Sequence, residues 1–65
     1  MAVNLRPGDK VTATKRINLM TQSDIVEGEN GIIYWADNRR GIAAVQFEQR
    51  LMVWNIRLDS LKICY

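Results

Sequence analysis

An all-β fold, a small five-stranded antiparallel barrel with a long loop after its first strand and a 3₁₀ turn before its last, follows from three features of this 65-residue chain. Five short stretches favour extended backbone, tight turn signals separate the middle ones, and two of the stretches are apolar on both sides. Those two are Ile32-Ile33-Tyr34-Trp35 and Leu51-Met52-Val53-Trp54. Successive strand residues point to opposite faces, so one inward face hides only every second member of each run. The remaining members need another cover: a copy of the same chain, a different protein or a nucleic-acid base.

Each element has a local reason. Arg6-Pro7-Gly8-Asp9 is a turn, in which Pro fixes φ, Gly permits unusual φ and Asp caps the bend. Lys10 to Lys15 alternates polar and small apolar residues around two Thr and reads as strand one. From Arg16 to Glu27 the periodicity fades. Ser23-Asp24 offers a helix cap there, yet the segment is short and β-branched. It reads as a long ordered loop whose apolar residues tuck over one end of the barrel.

Gly28-Glu29-Asn30-Gly31 is the next turn and launches strand two, Ile32 to Ala36. Asp37-Asn38-Arg39-Arg40-Gly41 is a hairpin turn whose Asn and Gly tolerate positive φ, leading to strand three, Ile42 to Phe47. Glu48-Gln49-Arg50 gives on to strand four, Leu51 to Ile56. Leu58 to Leu61 predicts one 3₁₀ turn and Lys62 to Cys64 a last short strand. Alternation places Ile33 with Trp35 on one face and Ile32 with Tyr34 on the other. It also groups Ala43, Val45 and Phe47, and groups Met52, Trp54 and Ile56. The expected core is Val11, Ala13, Ile33, Val45, Phe47, Trp54, Ile56, Leu61 and Ile63.

Composition narrows the function. A chain this short is read as one domain, with roughly 60% of its unfolded surface buried and little room for an internal cleft. Nine basic and seven acidic residues give a net charge of +2, a weak footprint for a nucleic-acid binder. There is no His, and Cys64 is alone, which removes the commonest general base and any intrachain disulfide. The opening Met1 to Arg6 lacks the apolar stretch of a signal peptide, so a cytoplasmic protein is expected. Asp24, Glu27 and Glu29 cluster near the second turn, but their spacing matches no calcium loop or two-metal site and reads as loop solubility. No nucleophile, base and orienting group can be assembled. The expectation is a non-enzyme without cofactor, metal or catalytic residue.

What remains is a binding surface. The outward members Ile32, Tyr34, Leu51 and Val53, with Arg39 and Arg40 at the hairpin tip, are the candidate partner-binding residues. Self-association into a homo-oligomer or docking on a larger protein complex is the first expectation. Nucleic acid, stacked on aromatics beside a guanidinium pair, is the alternative.

Gly8-Asp9-x-Val11, Gly28-x-x-Gly31-x-Ile33, Val45-x-Phe47 and Trp54-x-Ile56 with Leu61 and Ile63 resemble the layout of SH3-like barrels, including the KOW-type modules of transcription and ribosomal proteins. The layout is also similar to the small SH3-like accessory subunits of photosynthetic electron-transfer complexes, a resemblance that implies attachment to large partners. A further resemblance, through Gly8-Asp9-Lys10-Val11 and Gly31-Ile32-Ile33-Tyr34-Trp35, is to the type II dihydrofolate reductases, tetramers with one active pore. Their Val-Gln-Ile-Tyr motif contacts cofactor and substrate; here the nearest stretches are Val53-Trp54-Asn55-Ile56 and Val45-Gln46-Phe47.

Overall fold

The computed structural model describes residues 4–20 and 23–64; the loop positions Thr21 and Gln22, the first three residues and Tyr65 lie outside the described residues. Along them run β1 (Lys10–Ala13), β2 (Asn30–Asp37), β3 (Ile42–Phe47), β4 (Val53–Arg57) and β5 (Leu61–Ile63), with a 3₁₀ turn at Leu58–Ser60. All pairings are antiparallel, and the strands stand in the order β4-β3-β2-β1-β5. Strands β1 to β4 thus form one meander, with the long loop joining β1 to β2, and the 3₁₀ turn leads the chain across to set β5 on the far side of β1. Strand three begins and ends where the sequence places it. Strand one stops at Ala13, strand four starts only at Val53, and the 3₁₀ turn ends one residue early so that β5 begins at Leu61.

One face of this sheet is the core. Val11, Ala13, Ile33, Ala43, Val45, Phe47, Ile56 and Leu61 form a buried cluster with Leu5 and Ile25, while Trp54 and Ile63 pack against it half-buried. The Trp54 indole Nε1–H is buried with no acceptor among the described residues. Ile25 comes from the long loop, where Ile17 and Ile25 exchange backbone hydrogen bonds of 2.8 and 3.0 Å. Ile17, Leu19 and Ile25 do tuck over the core as expected. Met20 and Val26 do not; both are exposed.

Two glycines are required for different reasons. Gly41 adopts φ 74° at the β2–β3 hairpin, a conformation that no non-glycine residue takes among the described residues. Asn38, expected there for the same freedom, instead uses its side chain to grip the entering chain. Its Oδ1 accepts from the Leu5 N–H at 2.9 Å and its Nδ2 donates to the Leu5 carbonyl at 3.1 Å. Gly31 is not a turn residue but lies inside β2, paired with Val11 and Phe47. A Cβ there would sit 2.8 Å from Val45 Cγ1 and 2.9 Å from the Gln46 carbonyl oxygen, so the sheet closes over a missing side chain.

Simple alternation fails in β2. Ile33 pairs with Val45, but Trp35 pairs with Ala44, so Tyr34 is an extra residue on that strand. The bulge inverts the phase. Ile33 is buried whereas Trp35, expected on the same face, is half-exposed, and Ala36 turns inward instead. Met52, grouped by alternation with Trp54 and Ile56, precedes β4 in a bend and is exposed.

Candidate binding face

The registers define the other face of the sheet row by row. Val53, Gln46, Ile32 and Lys10 form one row across β4, β3, β2 and β1. Asn55, Ala44 and Trp35 form the next, and Arg57, Ile42 and Asp37 the one beyond. On the opposite side of the first row, Thr12 stands between Asn30 and Lys62. The bulged Tyr34 projects between Ile32 and Trp35. Three of the expected partner-binding residues, Ile32, Tyr34 and Val53, therefore meet on one surface.

Their exposures are 43%, 56% and 38%, and Trp35 adds another 50%. Two half-exposed aromatic rings on adjacent positions form a large apolar surface for so small a chain, since each such side chain has roughly 150–250 Å² to cover. The centre carries no charge: Gln46 fills it, accepting from the Tyr34 hydroxyl at 2.8 Å and donating to the Leu51 carbonyl at 3.2 Å. Tyr34 is thereby held across the face and the bend that carries Leu51 is tied to it. Leu51 itself is 95% exposed.

Arg39 and Arg40 stand elsewhere. They tip the β2–β3 hairpin, at the other end of β3 from Leu51, a separation of about 17 Å along the strand at roughly 3.3 Å per residue. Arg40 is turned back on Asp37, with Nε 3.5 Å from one carboxylate oxygen while its backbone N–H donates to the other at 3.1 Å. The phase inversion that exposes Trp35 carries no local sequence signal, because Ile, Tyr and Trp fit a strand in either orientation. Alternation points Met52 inward because the bend before β4 reads as strand in the sequence.

A second constellation escapes sequence reasoning altogether. Arg50 reaches from the β3–β4 connection to the long loop. It donates from Nη1 to the Ser23 carbonyl at 2.7 Å, from Nη2 to the Asp24 carbonyl at 2.9 Å, and from Nε and Nη2 to the Glu29 carboxylate at 3.3 and 3.2 Å. Only 12% of its side chain is exposed. Arg16 pairs with Asp24 at 2.9 Å, and that carboxylate also accepts from the Leu19 N–H at 3.2 Å. Asp24 and Glu29 are thus anchors of the loop, a role beyond the solubility expected of them.

These bonds shift both carboxyls downward. The Leu19 N–H and then the Arg16 guanidinium hold Asp24 below its ordinary range. For Glu29 the Arg50 hydrogen bond comes first, with the Val26 N–H assisting and burial opposing. A carboxyl whose pKa is lowered on folding stabilises the fold above its unfolded value, and that contribution disappears as pH falls through the lowered one. Thermal melts taken from pH 7 downward should accordingly show the wild-type chain losing stability below about 4.5, the ordinary value for Glu29. Glu29→Gln should start less stable and lose less over the same range. Parallel losses in both chains would remove Glu29 from the acid response.

No family model, curated protein or solved structure matches the chain.

Proposed function

We propose that this chain is a non-enzymatic binding module with an SH3-like barrel fold, which works by self-association or by docking on a larger protein complex. The observation that carries the reading is the contiguous exposed surface of Ile32, Tyr34, Trp35 and Val53, on a sheet whose opposite face already holds the core. Strand order and the 3₁₀ turn before β5 support the fold assignment. A lone, exposed Cys64 suits a reducing compartment, and the cytoplasm is the proposed location.

Nucleic acid is the second reading. It is favoured by two half-exposed rings in a face flanked by Lys10, Lys62 and Arg57, and opposed by Asp37 on that face. The reductase resemblance would be revived by saturable NADPH binding.

Light scattering across a concentration series tests the first reading. The wild-type mass should rise above the 7.5 kDa of one chain. Tyr34→Glu and Leu51→Glu should weaken association by at least about tenfold, or 1.4 kcal/mol, while circular dichroism stays that of a folded chain. Unfolding of both variants would overturn the assignment of the outer face. A mass raised only by added oligonucleotide, and falling steeply with salt, would transfer the function to nucleic acid.

A further inference from the structure

The free edge of β4 presents a template that only a strand can fill. The Leu58 N–H donates to the Gly41 carbonyl at 2.8 Å, which fixes the phase of the β3–β4 ladder. Stepping by two, Ile56 faces Ala43 and Trp54 faces Val45 as hydrogen-bonded pairs. The Glu48 N–H to Asn30 carbonyl bond, 2.9 Å, fixes β2–β3 and independently assigns the alternate residues of β3 to β2. The backbone N–H and C=O of Val53 and Asn55 and the N–H of Arg57 therefore point away from the sheet, where no strand lies beside β4 among the described residues, while the Arg57 carbonyl opens the 3₁₀ turn that it caps.

The edge lacks the usual protections. Its register with β3 is regular, without a bulge, and it contains no Pro and no inward charge. The opposite edge is different. Thr14 N–H to Ser60 O and Cys64 N–H to Lys10 O assign Lys62 to the β1 ladder, leaving Leu61 and Ile63 outward. The Leu61 N–H is already spent on the Leu58 carbonyl of the 3₁₀ turn. A head-to-tail union of the two edges has less to bond.

We infer that β4 pairs antiparallel with β4 of a second copy, about a two-fold axis at Asn55, joining the two sheets into one. This proposal rests on the self-association reading and names its geometry. Centring on Asn55 uses the outward N–H and C=O of Val53 and Asn55 together with the N–H of Arg57, because Val53 then faces Arg57 of the other copy. Centring on Arg57 would set two guanidiniums against each other, and centring on Val53 would leave Arg57 unpaired. At Asn55 no like charges meet. The joined sheet also brings Val53 and Gln46 of the two copies onto one continuous outer surface, so the apolar face grows with the assembly.

The test is light scattering on Asn55 variants of the full chain. Asn55→Pro removes an N–H that the internal ladder does not use and blocks strand addition, so the dimer should weaken at least about tenfold. Asn55→Lys and Asn55→Asp each place like charges at the axis. Each alone should be a single chain, and their mixture should restore the dimer, a readout that survives should the proline variant fail to fold. Unchanged mass in the Asn55 variants, with Tyr34→Glu still reducing it, overturns edge pairing and leaves the outer-face reading intact. Loss in the Asn55 variants alone keeps the edge and overturns the face. A wild-type chain that stays single at every concentration overturns both.

Discussion

Phe47→Ala is expected to abolish the cooperative folding transition at ambient temperature. Phe47 is fully buried and is the largest such side chain of the core. Phe-to-Ala truncations of this kind cost about 3–5 kcal/mol, the transfer term plus the cavity left behind. Total stability of about 0.05–0.15 kcal/mol per residue gives a chain of this size roughly 3–10 kcal/mol to lose. Collapse into the cavity is restricted on one side, because Gly31, the partner of Phe47 on β2, has no side chain to move. Thermal scans should show the loss as a broad, non-cooperative melt or none. Tyr34→Ala, a truncation of similar size on the outer face, should change stability by less than about 1 kcal/mol. Similar melts for the two variants would mean that the burial pattern is wrong.

Much of the fold was legible because it depends on period-two patterning and turn chemistry. Val11, Ala13, Ile33, Val45, Phe47, Ile56 and Leu61 sit in the core where alternation places them. Legibility failed wherever one residue was added or one side chain acted at a distance. The extra residue at Tyr34 moves Trp35 from the expected inner face to the outer one, and Ala36 takes the inner position. Gly31 reads as a turn residue in isolation, since nothing local reveals that Val45 occupies the space above it. Ile25 and Leu5 lie in irregular segments, where burial follows from tertiary packing and no period exists to announce it. Of the candidate surface, the apolar members were readable as an excess that one face could not absorb. The separation of Arg39 and Arg40 from Leu51 needed the topology of the hairpin.

Arg50→Ala is expected to release the long loop while leaving the strands paired. One guanidinium holds the carbonyls of Ser23 and Asp24 together with the Glu29 carboxylate, so its removal strips several charge-assisted hydrogen bonds at once. Glu29, with a side chain only 20% exposed, then keeps its charge with the Val26 N–H but without a counter-ion. A partly buried pair broken in this way should cost about 2–3 kcal/mol, below the 3–5 of a fully buried one because water reaches the vacated space. Arg50→Lys should recover little, since an ammonium has no planar fork to span two carbonyls and a carboxylate. Amide exchange is the discriminating measurement. The Ile17 and Ile25 amides, which bond each other's carbonyls, should exchange much faster in Arg50→Ala. The Ile33 amide, bonded to the Asp9 carbonyl within the sheet region, should follow global stability alone. Equal acceleration at all three sites would show that Arg50 supports the whole fold, and unchanged Ile17 and Ile25 would show that the loop stands by its apolar contacts without the clamp.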